Sequence, residues 1–195
     1  MSLHLMTTSG AMGEPDPKAA DYYSQAMSYL GKSGTAQKII KELEGCNWKI
    51  YVLVQKECFP MFAHFEMASQ HGFDGSLIVW DPIGLVTSRK KDAATMQSPA
   101  IALAHEMGHG VQWVKNRGWY LAYVNQVLNG DAQKSGSPAY NAKLVIENDN
   151  IQTHETPVAQ ELSEGIRKDY NDAADFSQAK KNYKAPYPLL PLGHG

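Results

Sequence analysis

Apolar residues near the N-terminus recur every three or four positions, which is the period of one helical face. This spacing predicts a helix over residues 18–31 and a second helix over residues 33–45, each ended by a glycine. Residues 1–16 show no such period and contain Gly10, Gly13 and Pro15. We therefore expect residues 1–16 to be a flexible leader or linker, and residues 17–195 to form a single domain.

From residue 48 onwards the hydrophobic period changes to two. Residues 48–54 alternate between the two faces of a strand, and short runs rich in β-forming residues follow at 61–67 and 76–80. A polar, basic loop is expected at 86–97. The pattern predicts an α+β domain with a small mixed sheet, in which the strand at 76–80 lies at an exposed edge where a peptide could bind.

The composition and charge of the chain argue against some classes of binding partner. The chain has 195 residues, of which 43% are hydrophobic and 19% charged, as in a packed globular domain. Its 18 basic and 20 acidic side chains provide no basic surface for nucleic acid. The sequence has no apolar run of about 18 residues, so we expect no membrane insertion, and its N-terminus lacks a signal-peptide pattern. Whether Cys46 and Cys58 pair is left open.

Residues 105–109 read His-Glu-Met-Gly-His, an H-E-x-x-H motif. Residues four apart lie on one face of a helix, so the imidazoles of His105 and His109 could bind one ion. The carboxylate of Glu106 would lie beside that ion, where a general base is needed. The motif therefore predicts a catalytic zinc site with His105 and His109 as ligands and Glu106 as the catalytic base.

The flanking residues predict that the motif lies on a helix. Ser98 is a favourable N-cap, Pro99 suits the first helical position, and Gly118 follows basic residues as a stop signal. We expect a helix over residues 99–117 that packs on the sheet by an apolar face, with His105 and His109 turned towards a cleft.

A catalytic zinc commonly has three protein ligands, so a third donor is needed. The metzincin extension is excluded because Lys115 stands where its third histidine would be. The carboxylates that follow are Glu147, Asp149, Glu155, Glu161 and Glu164. Glu155 is the preferred ligand, on a short second helix, and Glu161, Glu164 and His154 stay open as alternatives.

Three segments support a family resemblance. They are the run Ser98-Pro-Ala-Ile-Ala-Leu-Ala-His-Glu-Met-Gly-His109, the strand end Trp80-Asp-Pro82, and the block from Glu155 to Tyr170. In these segments the chain resembles bacterial effector zinc metallopeptidases typified by the type III effector NleD, and in particular the peptidase domain at the C-terminus of type VI secretion spike (VgrG) proteins. The resemblance implies a zincin-like fold, Zn²⁺ as cofactor and Glu155 as the third ligand.

The residues Arg167 and Tyr170 also resemble the Arg-x-x-Tyr of clostridial neurotoxin light chains. Because residues three apart share a helical face, both side chains could donate hydrogen bonds to an oxyanion. We therefore expect Tyr170, together with Arg167, to stabilise the tetrahedral intermediate of peptide hydrolysis.

The resemblance further implies a secreted effector or toxin that cleaves a protein or peptide substrate of a target cell. It would be delivered without a signal peptide by a contact-dependent system, into a host cytosol or a rival's periplasm. Its other partners would be the secretion spike machinery and a cognate immunity protein. Two alternatives stay open: a zinc amidase that acts on peptidoglycan, and a non-catalytic module that zinc only braces. Glu106 argues against the module, because a structural zinc needs no base.

Overall fold

The structure, a computed structural model, describes residues 2–7, 13–84, 86–88, 96–170 and 173–175. Its strands are β1 (Leu3–Leu5), β2 (Ile50–Val54), β3 (Met61–Ala63), β4 (Ser76–Trp80), β5 (Val86–Ser88) and β6 (Ala173–Asp175). Its helices are α1 (Ala19–Leu30), α2 (Gly34–Gly45), α3 (Phe65–Ala68), α4 (Pro99–Lys115), α5 (Arg117–Leu128), α6 (Pro138–Asn150) and α7 (Thr156–Glu161). The α+β class is confirmed.

The main sheet is small and mixed, in the order β1-β2-β4-β3. β1, β2 and β4 run parallel, and β3 pairs antiparallel with β4 at the edge. β4 has a strand on each side, and all five of its residues are buried because hydrophobic clusters cover both faces of the sheet there. The expectation of an exposed edge at 76–80 is therefore wrong: the edge strand on this side is β3. β5 and β6 form a separate antiparallel pair.

Several predicted boundaries differ from the structure. Part of the expected leader forms β1, whose Leu3 is buried and pairs in register with Ile50 of β2. The run at 61–67 divides into β3 and the short helix α3. The helix predicted to reach residue 117 ends at Lys115, because Asn116 leaves helical geometry with φ −140° and ψ 58°. The first three residues of the loop expected at 86–97 form β5, and residues 89–95 of that loop lie outside the described residues.

α4 runs through the interior of the domain. Every residue from Pro99 to Trp113 is buried, and the helix packs against α1, α2 and β3. The Trp80 indole N–H donates to the Pro99 carbonyl over 2.7 Å, which fixes the first turn of α4 to the end of β4. In the described part of the chain no helix has the length and hydropathy to cross a membrane.

Candidate metal centre

The two histidines of the motif converge with a glutamate from α6. The Nε2 atoms of His105 and His109 are 3.1 Å apart. Oε2 of Glu147 lies 3.2 Å from Nε2 of His105 and 3.5 Å from Nε2 of His109. Both histidines are buried, with 7% and 6% of their surface exposed, and Glu147 is partly buried. Two helices thus bring three metal-ligand atoms to one point.

The spacing of these three atoms fits a metal ion. A tetrahedral ion with bonds of about 2.0–2.2 Å keeps its ligand atoms about 3.3–3.5 Å apart. The observed separations of 3.1, 3.2 and 3.5 Å are close to that value. His105, His109 and Glu147 therefore form a buried group that could hold a metal ion. Two imidazoles and one carboxylate suit zinc, and three ligands leave a fourth position open.

Glu155, the predicted third ligand, lies on the opposite side of His105. Its Oε2 is 2.7 Å from Nδ1 of His105, the ring nitrogen that points away from the group. Arg167 donates from Nε to Oε1 over 2.7 Å and from Nη2 to Oε2, and Gln97 donates to Oε1 over 2.8 Å. The structure thus places Glu155 outside the group of three converging atoms, with hydrogen-bond donors at both of its carboxylate oxygens.

The charges around Glu155 agree with a supporting role. Burial alone would raise the pKa of its carboxyl, but the charge of Arg167 and the hydrogen bond from His105 lower the pKa to about 2. For His105, burial lowers the pKa, but hydrogen bonds to Glu147 and Glu155 outweigh it and raise the pKa to about 10. Negative charge that favours a proton on His105 also favours a cation at its Nε2.

His109 is oriented by a second hydrogen-bond chain. Its Nδ1 donates to Oε1 of Gln112 over 2.8 Å. The Gln112 amide in turn donates to the Ile146 carbonyl over 3.0 Å and to the Asp149 carboxylate over 2.7 Å. Since Glu155 accepts from His105 in the same way, both rings have Nδ1 held by an acceptor and Nε2 left for an ion. Such outer hydrogen bonds set the tautomer and orientation of metal-binding histidines.

Glu147 and Glu155 belong to one continuous helical stretch that is interrupted by a π-helical turn. α6 passes through the π turn Ile151–Glu155 directly into α7. On a regular α-helix, residues eight apart point about 80° away from each other. The wider π turn takes up one additional residue and reduces that difference. It lies immediately before Pro157, which has no N–H to donate. Both glutamates can therefore face His105.

The close approach of this stretch to α4 depends on Gly108, inside the motif. A Cβ atom at this position would lie 2.0 Å from Oδ1 of Asn150. Asn150 is fully buried, and its amide donates to the His105 carbonyl over 2.8 Å. The small residue between the two histidines thus allows the ligand-bearing helices to touch.

The other candidate ligands lie away from the histidine pair. Glu161 accepts hydrogen bonds from Ser33 and Thr35 at the start of α2. Glu164 accepts from the backbone N–H and hydroxyl of Ser98 at the start of α4. His154 contacts Oδ1 of Asn150 at 3.0 Å. Glu161 and Glu164 therefore satisfy helix N-termini, where a carboxylate is favoured.

A cavity of about 870 Å³ adjoins the group. Its lining includes His105, Glu106, His109, Glu147 and Tyr170. The carboxyl of Glu106 has a raised pKa, first because it is buried; the two histidines act in the opposite direction. The cavity brings together the three potential ligands, the expected base and the expected tyrosine, which is the arrangement that hydrolysis at a metal ion needs.

Tyr170 and Arg167 both border the cavity but make different contacts. The ring of Tyr170 is half-buried, with Nζ of Lys143 at 4.7 Å and Cζ of Arg167 at 5.9 Å from its centre. Arg167 is buried and bound to Glu155 through Nε and Nη2, and its Nη2 also lies 3.1 Å from Nδ1 of His105. Of the pair, Tyr170 lines the cavity with a side chain that carries a hydroxyl group.

Sequence reasoning placed Glu147 among the candidates but did not select it. A local signal was present: Ser137-Pro138 starts α6 as Ser98-Pro99 starts α4, with the serine Oγ accepting the Tyr140 N–H over 3.0 Å. The buried positions of α6 follow at spacings of three and four, and Glu147 comes directly after one of them. This pattern puts Glu147 near the buried face of a helix.

Comparisons of the chain with protein-family models, curated proteins and solved structures found no match. The functional interpretation therefore rests on the side chains of the site. Within the described residues, the group of His105, His109 and Glu147 is where a metal ion could bind.

Proposed function

We propose that the protein is a zinc-dependent metallopeptidase with a zincin-like fold. The single observation that carries the proposal is the convergence of His105 Nε2, His109 Nε2 and Glu147 Oε2 beside Glu106 in one large cavity. In this proposal Glu147, rather than Glu155, is the third ligand. Zn²⁺, when bound by these three residues, supplies Lewis acidity towards the scissile carbonyl and towards a water molecule.

Glu106 acts as the base and then as the acid. It follows His105 in the motif, lines the cavity and is buried, so its carboxylate can reach a water molecule near the ligand group. One carboxylate oxygen accepts a proton from the attacking water, and the same oxygen then donates that proton to the leaving amine nitrogen. Burial raises the pKa of Glu106, which makes its carboxylate a stronger base towards the proton of the attacking water.

The shape of the cavity supports an extended peptide as the substrate. β3 has a hydrogen-bonded neighbour on one side, β4, and Met61 and Phe62 of β3 line the cavity. The free side of an edge strand offers backbone donors and acceptors to a peptide that adds as another strand. β3 therefore takes the role that sequence analysis gave to the strand at 76–80.

Tyr170 is the proposed hydrogen-bond donor to the carbonyl oxygen in the transition state, and Arg167 holds Glu155 against His105. Tyr170→Phe removes one hydroxyl, so we expect kcat to fall roughly tenfold or more while zinc binding is unchanged. Tyr123→Phe, on a residue absent from the cavity lining, serves as the control. Unchanged turnover in Tyr170→Phe would remove the tyrosine from the mechanism.

The resemblance to effector peptidases adds a biological role to the proposal. In that role the enzyme is delivered into a target cell and cleaves a protein there. This part rests on the motif residues alone, and the chemistry of the site is the same in either target compartment.

The function is tested by metal analysis followed by cleavage assays. We expect protein purified without added zinc to contain one zinc per chain and to cleave casein or a peptide library. Glu106→Gln should retain the metal and lose cleavage, because only the base is removed, and His109→Ala should lose both. Absence of bound metal, or equal cleavage by Glu106→Gln, would contradict the proposal.

A further inference from the structure

The cavity has two sides of different chemistry. One side contains the ligand group and Glu106. Another part of the lining, here called the apolar wall, consists of Met61, Met67, Tyr120, Val124, Val127 and Leu128, and the ring centre of Tyr120 lies 6.4 Å from that of His109. A substrate bound at the ligand group therefore has side chains that face this wall.

Most of the apolar wall is one face of α5. Its four residues from that helix lie at spacings of four, three and one, as on a single helical stripe. Tyr120 is only 4% exposed and Val124 is buried, whereas Leu128 is 55% exposed. The wall thus runs from the interior of the cavity, near His109, to its mouth.

Two large apolar side chains that line the cavity are exposed to solvent. Phe59, just before β3, lines the cavity and is 75% exposed, and Leu128, the last residue of α5, lines the same cavity. Large apolar side chains left in water at the entrance of a cavity are typical of surfaces that bind a partner or substrate. Here they continue the apolar wall outwards.

We propose that the cavity selects extended peptides with a large apolar side chain next to the scissile bond, and that this side chain packs against the apolar wall. The inference rests on the proposed peptidase function and specifies its substrate class. The peptide lies along β3, so that one of its side chains points towards α5 while the scissile carbonyl faces the ligand group.

The wall tolerates several apolar shapes and disfavours polar ones. Met61 and Met67 have flexible thioether side chains that adapt to differently shaped partners. Leucine, methionine and phenylalanine are therefore accepted alike. An aspartate side chain, or the hydrated sugar of peptidoglycan, would lose bound water against this surface without gaining equivalent hydrogen bonds.

The inference is tested with hexapeptides that are alanine except for one central position, occupied by leucine, phenylalanine, alanine or aspartate. Cleavage is measured with the zinc-loaded wild type, and binding with the zinc-loaded Glu106→Gln variant by fluorescence anisotropy. We expect kcat/KM and affinity to be about 10- to 100-fold higher for leucine or phenylalanine than for aspartate. Equal values for the four peptides overturn the inference, as does cleavage of peptidoglycan fragments in preference to all of them.

A pair of charge variants locates the preference on α5. Val127→Glu puts a carboxylate into the partly exposed part of the wall, and Ala122→Glu puts the same charge on an exposed position of α5 outside the cavity lining. We expect Val127→Glu to reduce the preference for leucine over aspartate at least tenfold, and Ala122→Glu to leave it unchanged. A full preference in Val127→Glu overturns the assignment to this wall.

The two readouts separate this inference from the proposed function. If no peptide is cleaved but Glu106→Gln still binds the leucine peptide best, the proposed selection by the apolar wall is correct and the proposed peptidase function is wrong. If all four peptides are cleaved equally, the peptidase activity stands and the apolar selection is wrong.

Discussion

Glu147 and Glu155 lie eight residues apart on one helical stretch, yet they meet opposite nitrogens of the same imidazole. Glu147 approaches Nε2 of His105 and also lies near Nε2 of His109. Glu155 approaches Nδ1 of His105, and Arg167 and Gln97 occupy its oxygens as donors. Both residues line the cavity, but Glu147 meets the two imidazoles there, whereas both oxygens of Glu155 accept hydrogen bonds from other side chains.

We infer from this difference that the partners of a carboxylate, rather than its nearness to a histidine, separate a proposed ligand from a supporting group. Burial acts to raise the pKa of both carboxyls, and in both the opposing charge outweighs it, so both pKa values are lowered. For Glu147 the opposing charge comes chiefly from the two imidazoles, which an ion would replace. For Glu155 it comes chiefly from Arg167, which stays in place.

The largest expected effect follows from removing Glu147. Glu147→Ala deletes one of three ligand atoms, so we expect zinc affinity to fall by roughly a thousandfold and peptide cleavage to be lost. The zinc dissociation constant is measured by competition with a chromophoric chelator. Glu161→Ala, which removes a carboxylate at the start of α2, is the control and should keep wild-type affinity. If Glu147→Ala binds zinc with wild-type affinity, the third ligand is another residue.

A second way to disturb the comparison is to push the glutamate-bearing stretch away from α4. Gly108→Ala places a Cβ atom 2.0 Å from Oδ1 of the buried Asn150, so we expect a loss of roughly 3 kcal/mol in the free energy of unfolding, together with weaker zinc binding. Urea denaturation of the metal-free protein measures the first effect.

Gly118→Ala is the matched control for this substitution. A Cβ at Gly118 meets no atom within 4 Å, and the residue lies in α5, so the change should be neutral or stabilising by up to about 1 kcal/mol. If both variants have the same stability, the contact between Gly108 and Asn150 does not control the approach of the helices.

Glu155→Gln should weaken zinc binding less than Glu147→Ala does. The amide keeps the shape of the side chain but loses the charge that holds Nδ1 of His105 and the Arg167 guanidinium. We expect zinc affinity to fall tenfold to a hundredfold, which is less than for Glu147→Ala, because an outer partner is weakened and no ligand is lost. The same competition assay ranks the two variants. A larger loss in Glu155→Gln than in Glu147→Ala would reverse the two roles.

The elements predicted correctly are those whose signal is local. α2 begins at the Ser33 cap and ends at Gly45 as its sequence indicates, and β4 occupies the apolar run at 76–80. β1 was missed because a strand of three residues has no detectable period, and its partners in β2 lie 47 residues further along the chain. The edge position of β3 likewise depends on strand order, which residue alternation does not contain.

The candidate site also has a part that local sequence predicts and a part that depends on tertiary packing. The spacing of His105, Glu106 and His109 was sufficient to predict that all three line one cavity. Residues four apart lie on the same face of a helix, and Glu106 follows the first histidine directly. The choice between Glu147 and Glu155 was not determined by spacing. It depends on how α6 crosses α4 and on the π turn between the two glutamates, and both result from tertiary packing.

The smallest expected effect concerns Glu161, a carboxylate that lies close to neither imidazole. Hydrogen bonds from the Ser33 hydroxyl and from the backbone N–H and hydroxyl of Thr35 lower its pKa to about 2. A group with a lowered folded-state pKa stabilises the fold above its unfolded pKa of about 4.3, and this stabilisation is lost as the pH falls towards 2. Because Glu161 is exposed, we expect Glu161→Gln to cost no more than about 1 kcal/mol at pH 7.

The cost of Glu161→Gln should shrink as the pH is lowered from 4 towards 2, because the wild-type carboxylate then takes up its proton. Urea denaturation of both proteins at pH 7 and pH 3 measures the change. Glu44→Gln, near the other end of α2, removes an exposed carboxylate that accepts no hydrogen bond from the helix N-terminus and should not lower stability. A cost of Glu161→Gln that stays constant with pH would mean that the shape of the side chain, and not its charge, stabilises the start of α2.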